Sequence, residues 1–213
     1  MPRRISRAIA AAVAATTATL CLSGCAVPFP IAVAGPTTTT TLLPAGPGST
    51  QALLVQSGPP PALANTGSNW APILAGLLTY GQWLLANPGA GAATTAAAPG
   101  CPLTESLTAR MADFSSEAWR LAPAPLTISS LGVPSALAPG QTSVDLHVVA
   151  SRGMENVVDG SGQPASAIAA LPPAAFDVSL NLGGDGKWRL CTIQPTGPVR
   201  TADGAVQSDP SLF

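Results

Sequence analysis

Asp145 and His147 stand two positions apart, and Asp177 occupies an equivalent place in a later alternating segment. Residues two apart share one face of a β-strand, so a carboxylate and an imidazole can be presented together. General acid–base catalysis needs that combination, because imidazole titrates near neutrality and a carboxylate can orient it or take a proton. The same three residues also suit the solvent side of alternating strands. Val144, Leu146, Val148 and Ala150 interleave with Asp145 and His147, which predicts that placement, with His147 at least partly solvated and held by no carboxylate. No other catalytic signature competes. There is no Gly-x-Ser-x-Gly elbow, phosphate-cradling loop, paired-carboxylate arrangement or His-Glu-x-x-His. His147 is the only histidine, too few for a cysteine–histidine zinc site, and Asp159-Gly160-Ser161-Gly162 lacks the ligand count of a calcium loop. Neither metal nor cofactor is expected. Trp70, Trp83, Trp119 and Trp188 could line an apolar pocket; the simpler expectation is that each anchors a helix or strand in the core, as does Tyr80.

A second chemistry resides in cysteine. Arg3, Arg4 and Arg7 precede an apolar or small run, Ala8 to Leu22, that ends in Leu22-Ser23-Gly24-Cys25. A basic start, a short apolar stretch and small residues before a cut site make a secretory signal. The run covers about fifteen positions, short of the roughly twenty that a spanning helix requires. Leu22 to Cys25 resembles the lipobox of bacterial lipoproteins. The resemblance implies cleavage before Cys25, acylation of its thiol, and anchorage by lipid on the outer face of the cytoplasmic membrane. Cys21 would leave with the signal and Cys25 would carry lipid. Cys101 and Cys191 remain, an even pair bound for an oxidising compartment, and a disulfide is expected between them. By restricting the unfolded chain, such a bridge contributes on the order of 4 kcal/mol.

The chain carries 9 Lys and Arg against 10 Asp and Glu. Without the three signal arginines the balance is 6 to 10, a net charge of −4. That excludes a nucleic-acid partner, which needs clustered cations to displace counterions.

The elements that must position these residues divide the chain into four parts. Residues 1–24 are the signal. Residues 25–67, rich in proline with five consecutive threonines at Thr37 to Thr41, read as an unstructured tether with a reach of roughly 35 Å or more. Residues 68–194 are the folded domain, and 195–213, proline-, glycine- and polar-rich, a disordered tail. Within the domain, Ser68 or Asn69 can cap a first helix with Pro72 in its first turn. Apolar spacing from Trp70 to Leu85 fits that helix, and Asn87-Pro88-Gly89 ends it. A second helix opens at Pro102 and carries an apolar stripe of Leu103, Leu107, Met111, Phe114, Ala118 and Leu121. Thereafter the period is two. Strands are expected over Leu126 to Leu131, Val144 to Ala150 and Phe176 to Leu182. Arg152 to Val158 should pair with the second of these or continue it beyond a bend. Gly183-Gly184-Asp185-Gly186 is a hairpin turn leading into Lys187 to Ile193.

Helices followed by antiparallel strands make an α+β domain. The Trp83-Leu84-Leu85 helix end before Asn87-Pro88, the second apolar stripe and the closing Gly-Asp-Gly-Lys-Trp-Arg-Leu hairpin resemble the NTF2-like (SnoaL-like, cystatin-like) family. That resemblance implies two or three N-terminal helices packed on a curved antiparallel sheet, the NTF2-like cone. Few titratable groups are available to such a domain, so the expected function is a lipid-anchored extracytoplasmic interaction or binding module. Its partner would be an envelope protein or a small apolar ligand in a cell-envelope or transfer process. The alternative is a small isomerase- or cyclase-like enzyme using Asp145, His147 or Asp177.

Overall fold

The computed structural model describes residues 31–32, 58–134, 137–201, 204–207 and 211–213. The expected signal, Cys25 and most of the expected tether lie outside them. Among the described residues the fold is α+β, with two α-helices and two antiparallel sheets that do not close. Helix α1 spans Trp70–Ala86 after an N-cap at Asn69, with Pro72 in its first turn. It ends where Asn87 donates its backbone N–H to the Trp83 carbonyl at 2.9 Å, since Pro88 disfavours helical geometry in the residue before it. Thirteen of its residues are buried, on every face. A helix apolar all round belongs in a core, and α1 contacts both α2 and strands of each sheet.

Helix α2, Pro102–Ser116, is shorter than its stripe suggests. Leu107 and Phe114 are buried as expected, but Ala118 and Leu121 lie beyond the helix. Ala118 takes φ 53°; its N–H reaches the Ser115 carbonyl at 3.3 Å and the Trp119 N–H reaches Phe114 at 2.7 Å. Those two bonds close a Schellman motif, and the ring of Trp119 stands edge-on to Phe114 with centroids 6.4 Å apart, the apolar contact that accompanies it. Leu121 is then free to enter strand β2 (Arg120–Ala122), where it is fully buried.

The remaining strands are β3 (Leu126–Gly132), β4 (Ser143–Arg152), β5 (Glu155–Val158), β6 (Pro164–Ile168), β7 (Leu171–Leu182) and β8 (Trp188–Pro195). A two-residue strand β1, Ile31–Ala32, pairs with the edge of β3, within the stretch expected to be unstructured. The five-stranded sheet runs β1-β3-β4-β7-β8 and the three-stranded sheet β2-β5-β6. The chain passes between the sheets three times, each time over two or three residues: β2 into β3, β4 into β5 and β6 into β7. The crossings are aligned, for Leu126, Arg152 and Leu171 are cross-strand neighbours in one sheet while Ala122 faces Asn156 and Glu155 faces Ile168 in the other. The two sheets are thus one surface folded along a crease. Arg152 to Val158 continues β4 beyond the bend, with β6 as a strand the sequence reading did not contain. Gly153 permits the close approach there; a methyl group on it would lie 3.3 Å from Ala124 Cβ.

The folded body is wider than residues 68–194. Asn65 is buried and exchanges hydrogen bonds with Trp188, through its side chain to the Trp188 carbonyl (2.9 Å) and from the Trp188 N–H to its own carbonyl (2.8 Å). At the other end Val199, Leu212 and Phe213 are buried. The disordered tail expected over 195–213 does not hold for these residues, because their apolar side chains join the hydrophobic core.

Candidate functional site

The alternation of β4 sends Val144, Leu146, Val148 and Ala150 inward and Asp145 and His147 outward. Asp177 stands directly opposite His147 in β7. His147 Nδ1 lies 3.0 Å from Asp177 Oδ1, with side-chain exposures of 56% and 66%. His147 is therefore solvated as expected, but a carboxylate does hold it. The sequence reading missed this pair because register, not alternation, decides which residues on separate strands face each other. Asp145 falls opposite Ser179, one row along the same outer face. The pair leaves Nε2 of His147 directed away from Asp177, so the arrangement can accept or pass a proton, though only in solvent.

Besides Asn65, the buried polar side chains among the described residues, Gln82, Arg152 and Glu155, lie at the crease. Arg152 and Glu155, both side chains fully buried, end β4 and begin β5 and form an ion pair through Nη1 and Oε2. Glu155 Oε1 also accepts the Ala124 N–H at 3.3 Å and Gln82 Nε2 of α1 at 3.2 Å. Gln82 Nε2 also lies 3.2 Å from the Ala124 carbonyl, and Arg152 Nη2 donates to the Ala169 carbonyl at 3.4 Å. Ala124 and Ala169 belong to the other two crossings. Backbone groups released by a break in a sheet must find partners elsewhere, and here three side chains supply them. Burial pushes the Glu155 carboxyl above its ordinary range, against the pull of Arg152, and lowers Arg152. The sequence did hold a signal for this cluster: Arg152 is the next inward position after Val144, Leu146, Val148 and Ala150.

Cys101 and Cys191 are joined, with Cα atoms 5.0 Å apart, tying the start of α2 to β8 as expected. Each tryptophan serves as an anchor. Trp70 stands edge-on to Trp188 at 5.1 Å between centroids, Trp83 packs against Tyr80, and the indole N–H groups of Trp83 and Trp188 donate to the carbonyls of Gly58 and Gly67. In the β7–β8 turn, Arg189 grips Asp185 by two bonds of 2.9 and 2.6 Å, which holds that carboxyl far below the usual range. An open cleft of about 400 Å³ lies between the start of β7 and residues 196–200, lined by Pro172, Pro173, Thr196, Pro198 and Arg200 among others. None of the three acid–base candidates lines it. Among the described residues no cluster of His, Cys, Asp or Glu is placed to hold a metal, and no helix is long and apolar enough to cross a membrane. No protein-family model matches the chain, and no curated protein matches it.

Proposed function

We propose that the chain is a lipid-anchored, extracytoplasmic interaction module: an NTF2-like domain held by Cys25 on the outer face of the cytoplasmic membrane and serving an envelope or transfer process. The observation that carries the reading is the joined Cys101–Cys191 pair in a chain whose Leu22 to Cys25 resembles a lipobox, since disulfides persist where such a signal would deliver the protein. Two helices ahead of a creased antiparallel sheet agree in order with the family resemblance. The exposed setting of Asp145, His147 and Asp177 favours recognition of a partner over catalysis, because the open face offers no exclusion of water. The isomerase-like alternative is favoured by one observation, the 3.0 Å contact that orients His147. The anchor is tested by Cys25→Ser. Labelled palmitate should no longer incorporate, and the protein should appear unprocessed or in the medium. Unchanged labelling together with unchanged membrane fractionation refutes the anchor.

A further inference from the structure

Helix α1 carries Gly81 in its interior, where a glycine weakens a helix. A methyl group at that position would lie 3.0 Å from Cδ1 and Cε1 of Phe213. The missing side chain is thus what lets the ring rest on the helix backbone. Leu212 and Phe213 are 1% and 3% exposed, yet residues 211–213 belong to no helix or strand. Their polar holds are side-chain ones. Arg110 of α2 donates through Nη1 to the Phe213 backbone oxygen at 2.5 Å and to Ser211 Oγ at 3.4 Å, and the Phe213 N–H reaches Ser211 Oγ at 3.2 Å. An apolar seat beside a guanidinium that grips a backbone oxygen recognises a type of residue pair, not a place in the fold. A carboxylate in that position would suit the guanidinium better still.

We infer that this seat on α1 is a peptide-binding site for a bulky apolar pair ending in an aromatic residue, with residues 211–213 as its resident and displaceable occupant. A competing peptide must displace them, so the apparent affinity of the intact chain is reduced by the fraction of molecules with the seat open. This inference is independent of the anchor at Cys25.

The test is titration calorimetry of acetyl-Ser-Leu-Phe into the full chain bearing Leu212→Ala and Phe213→Ala. The variant should bind the peptide at least about tenfold more tightly than the unaltered chain does, and adding Arg110→Gln should weaken that binding by about tenfold or more. A variant that keeps its circular dichroism and its disulfide but does not bind overturns the proposal, as does equal binding by the unaltered chain. Should the variant fail to fold, amide exchange in the unaltered chain decides. The Phe213 amide should exchange at least about tenfold faster than Leu180 in β7, through opening of the segment alone; equal protection overturns the proposal.

Discussion

Two acid–base pairs on β4, one at its middle and one at its end, behave oppositely. His147–Asp177 joins neighbouring strands across the open face, more than half exposed on both sides. Arg152–Glu155 joins consecutive strands across the crease with no exposure at all. The exposed pair gains little, because water screens its attraction and two side chains must be held in one geometry. Within the buried pair, both ions have lost their hydration, and Arg152 Nε is left without a partner. Attraction at short range offsets that loss only in part. The difference shows what the buried pair is for: besides the bond Glu155 accepts from Gln82, its remaining hydrogen bonds go to Ala124 and Ala169, the backbone of the other two crossings. It stitches a fold in the sheet, and its charge is the cost of reaching both sides.

Removing one partner should produce the largest effect. Glu155→Ala strands Arg152 in the interior and should cost about 3–5 kcal/mol in urea unfolding. Arg152→Met combined with Glu155→Leu removes both charges and should recover part of the loss. It should still leave a deficit of about 1–3 kcal/mol, because the Ala124 N–H and Ala169 carbonyl stay without these partners. A double variant as stable as the native chain would show that the crease needs no such stitching.

The contrast also explains which parts of the fold can be read without coordinates. Helix α1, β4, the Gly183 to Gly186 hairpin and the Cys101–Cys191 bridge are local or compositional, and periodicity, turn chemistry and cysteine count suffice for them. The crease is not local. Alternation marks Arg152 as inward, but its pairing with Glu155 inside a fold of the sheet emerges only when β2 and β6 are placed on either side of β5. The helical stripe overran Ser116 for a related reason: apolar spacing of three and four continued to Leu121, while Trp119 on Phe114 and Ala118 with positive φ ended the helix. Leu212 and Phe213 were hidden by the polar, proline-rich residues before them.

The buried pair should also give stability a pH dependence. Burial raises the Glu155 carboxyl above its ordinary value of 4.5. As pH rises past that value the unfolded chain loses this proton first, so the folded chain binds more protons and its stability falls. The decline begins near pH 4.5 and continues until the folded carboxyl ionises. Glu155→Gln cannot titrate there. The stability of the native chain relative to this variant should therefore decrease as pH rises above about 4.5 in a series of urea midpoints. A relative stability that increased with pH would mean that Arg152 outweighs desolvation and holds the carboxyl down.

The exposed pair should yield the smallest effect, and a double-mutant cycle isolates it from strand propensity. His147→Gln and Asp177→Asn keep side-chain size and polarity while removing the ionic component. At about 0.15 M salt their coupling energy should not exceed about 0.5 kcal/mol, since an interaction this exposed is screened. The residues share a cross-strand position, which by itself favours opposite charges only weakly, and neither touches the crease. A coupling above about 1 kcal/mol would be incompatible with simple solvent-facing pairing. It would mean that the pair is desolvated in solution, by a partner or by a second surface over the outer face, and that His147 is oriented where chemistry could use it. The isomerase-like reading would then gain the water exclusion that the open sheet withholds from it.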